Sequence, residues 1–207
     1  MIAIFMYHYD DMEVDRSQSD FTKVSTMNER THFIAYKMKV ALTDLLYKAI
    51  SLSNAKSNLY GEIGHGDVKV LIYSLPSKLI MNTAKLFGDS LKGNVDENTL
   101  IDIITYTLYI HSVINSTDYR NIDQILNSTY EIIHHRHYDY NSADAIHDRL
   151  SISDISSMAH IKAIRIKNLV NNIDKAKDDT HFERVIYSIN DSIYDLMIYV
   201  SMVFLKL

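Results

Sequence analysis

Asn98-Thr-Leu-Ile-Asp102-Ile-Ile-Thr-Tyr106 and Asp191-Ser-Ile-Tyr-Asp195-Leu-Met-Ile-Tyr199 are two versions of one segment, 93 residues apart. Each opens on a polar residue, carries an aspartate at its fifth position and a tyrosine at its ninth, and is otherwise largely apolar, which suits a helix buried on most of its surface. Upstream of both, Tyr60-Gly61 aligns with Tyr140-Asn141 at an offset of 80 residues. The same offset lays Leu42, Leu45, Leu46 and Leu52 over Ile122, Ile125, Leu126 and Ile132. It also lays Val70, Ile72, Leu75 and Met81 over Leu150, Ile152, Ile155 and Ile161, and Lys85 over Arg165. The step from 80 to 93 requires an insertion in the second copy. Asn171-Asn-Ile-Asp-Lys-Ala-Lys-Asp-Asp179 is a polar stretch that tolerates one.

Each copy reads as helix, irregular loop, helix, short link, helix. In the first helix, Ile34, Met38, Ala41, Leu42, Leu45, Ala49 and Ile50 recur at three- and four-residue spacing, the stripe of a helix facing a core. Its counterpart spans about 121–137. Pro76 after Ser74 predicts the first turn of the next helix, where a missing N–H does no harm. Ser151 and Ser153 offer the corresponding N-caps. The third helices fall at about 96–115 and 182–207. The expected fold is all-α, a helical bundle made of two degenerate three-helix repeats with approximate internal twofold symmetry. Residues 31–117 form the first repeat and 118–207 the second; 1–30, with Asp10-Asp11, Glu13, Asp15 and Asp20, read as a solvated N-terminal arm.

Composition agrees. The 207 residues are 47% hydrophobic, enough to fill a core, and hold only 5 Gly and 1 Pro, too few for the tight turns of a sandwich or barrel. The chain has no Cys, which excludes disulfides, thiolate metal sites and a cysteine nucleophile and points to a reducing cytoplasm, that of a host cell if the protein is viral. A net charge of −5 provides no general basic field for a nucleic-acid backbone. The start, Met1-Ile-Ala-Ile-Phe-Met-Tyr-His8, lacks a basic n-region and cleavage site and reads as mature chain. The most apolar stretch, 196–205, is too short to span a bilayer, so no membrane association is expected. Abundant Asn, Ile, Tyr, Asp, Lys and Ser without Trp is a bias of AT-rich genomes, those of many phages among them.

Both copies place a tyrosine before a turn-former and a basic residue 25 positions later. Tyr60 and Tyr140 can offer stacking faces, Asn141 hydrogen bonds, and Lys85, Lys162 and Arg165 phosphate donors on a neighbouring helix. Alternatively the tyrosines pack helix ends and the basic side chains are solvated. Asp102 and Asp195 are charges in apolar helical stretches and require partners. Either each pairs with Lys85 or Arg165 inside the bundle, or they hold Mg²⁺ together with Asp191, or they are simply exposed at the surface. His134, His135 and His137 form a cluster, but nothing nearby completes a zinc site, and a histidine-rich helix end is the simpler reading.

The second copy, His137-Tyr-Asp-Tyr140-Asn-Ser-Ala, Ile161-Lys162-Ala-Ile-Arg165-Ile-Lys167 and Asp191-Ser-Ile-Tyr-Asp195-Leu-Met-Ile-Tyr199, resembles the nucleotide-modification-associated α-helical domain family. In the first copy Asn58-Leu-Tyr60-Gly61, Asn82-Thr-Ala-Lys85 and Asn98-Thr-Leu-Ile-Asp102 look like a worn version. That family is similar in helical pattern to MazG-type nucleoside triphosphate pyrophosphatases, which hold Mg²⁺ with Glu-x-x-Glu and Glu-x-x-Asp. Here the first helices have no Glu-x-x-Glu, and Asn98 stands where the second copy has Asp191. The resemblance implies a nucleotide-binding protein that captures or sequesters a modified or signalling nucleotide, which for a phage protein would serve an anti-defence role. A Mg²⁺-dependent pyrophosphatase and a structural, protein-binding bundle are the alternatives. The nucleotide is the expected partner, Mg²⁺ the only cofactor in view, and a homo-oligomer stays open.

Overall fold

The computed structural model describes residues 18–60, 68–140 and 149–207, with side chains at 33–55, 73–132 and 149–207. The described residues are all-helical, with no strand. They form, in order, α1 (Gln18–Tyr60), α2 (Val68–Leu91), α3 (Glu97–Asn115), α4 (Ile122–Tyr140), α5 (Ile152–Val170) and α6 (Asp179–Leu205). A 3₁₀ turn, Ile173–Lys175, lies in the polar link before α6.

Local chemistry fixes the helix ends. Asp96 caps α3 by accepting from the Asn98 N–H at 3.0 Å. Asp178 caps α6 by accepting from the His181 N–H at 2.7 Å. At α5 the cap is reciprocal: Ser151 Oγ accepts from the Asp154 N–H at 3.2 Å, and the Asp154 carboxylate accepts from the Ser151 N–H at 2.9 Å. These hydrogen bonds, led by the Ser151 hydroxyl, hold the Asp154 carboxyl below its ordinary pKa. α2 ends before Gly93, whose φ of +66° turns the chain into α3.

The first three helices interleave with the last three. α1 packs on α3, α4 and α6; α2 on α3 and α5; α3 on α6; α4 on α6; and α5 on α6. One core runs through all of them, drawing Leu42, Leu45 and Leu46 from α1, Leu79 and Leu86 from α2, Ile103 and Leu108 from α3, Ile125 from α4, Ile155 and Ile166 from α5, and Ile189 and Leu196 from α6. Of the apolar positions aligned in the sequence, Leu42, Leu45, Leu46, Leu75, Ile122, Ile125, Leu126 and Ile155 are buried, whereas Met81 and Ile161 are 71% and 60% exposed.

Two boundaries differ from expectation. Pro76 is not in a first turn but inside α2, eight residues past its start. It cannot donate to the carbonyl of Ile72, and the helix nevertheless continues, with the proline ring buried against the core. The segment read as an arm enters α1 at Gln18, so residues 18–30 continue the helix that carries the first core stripe.

Candidate functional site

The buried aspartate Asp195 has a partner. It lies on the face of α6 turned to α5, its side chain 3% exposed, and accepts from Lys162 Nζ at 2.5 Å. The Lys162 side chain is 20% exposed, so its ammonium lies at the edge of the bundle with its stem against the packed helices. One reading of the sequence paired the aspartates with Lys85 or Arg165; the α5 face that meets α6 is instead the one carrying Lys162, and Arg165, one turn along, is exposed. Asp191, one turn before Asp195, is half-buried and also engaged by neighbouring groups.

Lys85 likewise runs from one helix to the next, with different chemistry. Lys85 of α2 donates to Thr99 Oγ1 of α3 at 2.6 Å and lies 3.9 Å from the Asp89 carboxylate. It does not pair with Asp102 as expected. Asp102 is half-buried, with interactions of its own, and Tyr106, the tyrosine four residues on, lies under Lys78, whose Nζ is 5.8 Å from the ring centre. α2 and α5 meet directly, joined by a hydrogen bond of 2.9 Å between Thr83 Oγ1 and His160 Nδ1.

Tyr60 and Tyr140 are the last residues of α1 and α4, and their side chains, like those of His134, His135 and His137, lie outside the described residues, as does Asn141 altogether. The tyrosine half of the expected site is therefore not part of the geometry. Among the described residues, no three His, Asp or Glu side chains converge as a metal-binding group, and no helix is long and apolar enough to cross a membrane.

A second polar group went unread in the sequence. Tyr109 and His111 of α3 are buried; Tyr109 shares a hydrogen bond with Ser53 of α1, and His111 Nε2 lies 3.2 Å from the Tyr194 hydroxyl of α6. Burial lowers the His111 pKa below its ordinary 6.5, so the ring is neutral at pH 7. The same cause raises Tyr194, against a hydrogen bond from Ser128 of α4 that favours its ionised form. One turn along, the amides of Asn115 and Asn190 bond reciprocally at 2.9 Å, tying α3 to α6. The only sequence signal was Tyr109-Ile-His111-Ser112 within an otherwise apolar run. A single polar residue there does not reveal which neighbours will meet it.

No family model, no curated protein and no solved structure matches the chain.

Proposed function

We propose that the chain binds a nucleotide through its phosphates at the α5–α6 edge and holds it without turnover. The observation that carries this reading is the Lys162–Asp195 pair. Asp195, fixed by burial, sets the position of an ammonium that reaches the protein surface, and Arg165 stands one turn away on the same helix with its fork of donors exposed. Two cations on adjacent turns, one of them already oriented, match a phosphate group with little ordering left to do.

The same pair bears on catalysis. A Mg²⁺ ion at Asp195 has to displace an ammonium already 2.5 Å from the carboxylate. The first helices also lack the Glu-x-x-Glu with which MazG-type enzymes gather their metals. Asp195 as a holder of Lys162 suits capture; Asp102, Asp191 and Asp195 as a metal set is the weaker reading.

The twofold repeat is part of this proposal. α2 packs on α3 as α5 packs on α6, while α2–α5 and α3–α6 are pairings that an internal twofold maps onto themselves. Lys85 and Lys162 both bridge a second helix to a third, although the alignment sets Lys85 over Arg165, so the bridge moves by one turn between copies.

Calorimetry with a panel of nucleotides, in EDTA and again in Mg²⁺, with chromatography of the recovered ligand, tests the proposal. Expected are intact ligand, binding that survives EDTA, and a loss of affinity of more than tenfold in Arg165→Ala, since a charge-assisted contact contributes roughly 1.5–3 kcal/mol. Mg²⁺-dependent cleavage that vanishes in Asp195→Asn replaces this reading by the enzyme. Silence with every nucleotide leaves a structural bundle.

A further inference from the structure

α1 feeds the core along one side and carries a second apolar stripe on its opposite side. Ile34, Met38, Ala41, Leu42, Leu45 and Ala49 of α1 are buried in the bundle. Phe33, Tyr36, Val40 and Tyr47 project the other way, 57%, 62%, 51% and 59% exposed. At about 100° per residue these four fall within one narrow stripe, nearly opposite the centre of the buried face. With Thr43 and Ile50, both half-buried and Ile50 packed in part against the core, they follow the alternating three- and four-residue steps of a coiled-coil seam: 33, 36, 40, 43, 47, 50. The bundle itself does not require this. α4, the corresponding first helix of the second copy, exposes Asp123, Gln124, Asn127 and Glu131.

We infer that this stripe is the contact by which two copies of the chain associate, α1 against α1, antiparallel. An antiparallel seam joins unlike positions of the repeat, so the six residues pair among themselves: Phe33 meets the partner's Ile50, Tyr36 the partner's Tyr47 and Val40 the partner's Thr43, each layer occurring twice by symmetry. The register is centred between positions 41 and 42, and it fixes the flanking charges. Lys37, its Nζ 4.6 Å from the centre of the Phe33 ring, and Asp44, which accepts from Lys48 at 2.7 Å but keeps a 46% exposed side chain, lie on the same edge of the stripe and come opposite each other across the twofold axis, giving two identical attractive pairs. Lys39, on the other edge, is turned to the bundle instead, its Nζ 4.6 Å from the centre of the Tyr130 ring. A parallel pair would need that lysine for its charge contact, and this selects the antiparallel arrangement.

Area is sufficient. With roughly 200 Å² for each aromatic side chain, the exposed parts of Phe33, Tyr36, Tyr47 and Val40 amount to about 400 Å² of apolar surface per subunit. That is about half of the roughly 800 Å² each partner buries in a standard interface, the remainder being the polar rim that such interfaces have.

Sedimentation of the full-length chain over a range of concentrations tests the inference, with circular dichroism to check that every variant keeps its helicity. The wild-type chain is expected to dimerise reversibly, and Val40→Asp, which sets two carboxylates near the axis, to weaken the dimer more than tenfold. Lys37→Glu and Asp44→Lys each place like charges opposite one another and are expected to dimerise poorly alone, whereas an equimolar mixture of the two restores association as a heterodimer. A fold defect has no reason to be repaired by mixing. A chain that stays monomeric throughout overturns the inference, and so does a dimer indifferent to Val40→Asp or a mixture no tighter than its components. None of these readouts involves a nucleotide.

Discussion

Replacing Lys162 by Met removes the ammonium from Asp195 while keeping an unbranched stem of similar bulk. The carboxylate it abandons is 3% exposed, on a face of α6 packed against α5. Breaking a buried ion pair from one side costs about 3–5 kcal/mol, because the remaining charge stays desolvated and loses its counter-charge. A fifth of the Lys162 side chain reaches solvent, so water can approach the vacated position, and the loss is expected at the lower end, about 3 kcal/mol. For a chain of this length that corresponds to a midpoint lower by about 6–12 °C. The companion variant is Lys162→Met with Asp195→Leu. It removes both charges and is expected within about 1 kcal/mol of wild type, since a buried pair is often no better than apolar groups of the same volume. Urea unfolding followed by circular dichroism measures all four corners of the cycle, and the double variant is expected to recover most of the single loss. A loss below about 1 kcal/mol in Lys162→Met, or a double variant as unstable as the single, refutes the reasoning that Asp195 depends on Lys162.

Two further outcomes follow from helix caps and from burial. Ser151→Ala removes the hydroxyl half of the reciprocal cap of α5 and is expected to lower stability by about 1 kcal/mol, measurable in the same urea titrations. His111 is held below its ordinary pKa by burial, so the unfolded chain takes up a proton near pH 6.5 while the folded chain resists it. Wild type is therefore expected to lose stability relative to His111→Phe as the pH falls from above 6.5 through that value, and the difference between the two is expected to be flat at pH 8. A gap unchanged across that range contradicts the assignment.

The helices were legible because their apolar residues recur at helical spacing and because one interior receives them. Caps were legible where a side chain serves its own helix, as at Ser151. Partners between helices were not. Lys162 and Arg165 lie about one turn apart, and nothing along the chain tells which of them meets Asp195; the crossing of α5 over α6 decides it. Periodicity gave the need for a counter-charge at Asp195 but not its identity. Pro76 misled for a related reason: one lost hydrogen bond is a local effect, and the packing of α2 on α3 and α5 outweighs it. The Tyr109–Ser53 and His111–Tyr194 contacts join residues 56 and 83 positions apart, a separation over which sequence pattern carries no signal. The outer stripe of α1 was in the sequence all along, hidden because the inner one accounts for the helix.

The interleaving of the six helices has a consequence for how the molecule comes apart. α1 lies on α4 and α6, α2 on α5 and α3 on α6, so each of the first three helices shares its apolar surface with at least one of the last three. A backbone cut in the link between α3 and α4 would release two pieces of similar length, neither able to cover its own interior. They would have to find one another to fold, and the intact chain should melt in a single step, with no stage at which one piece stands while the other is already lost.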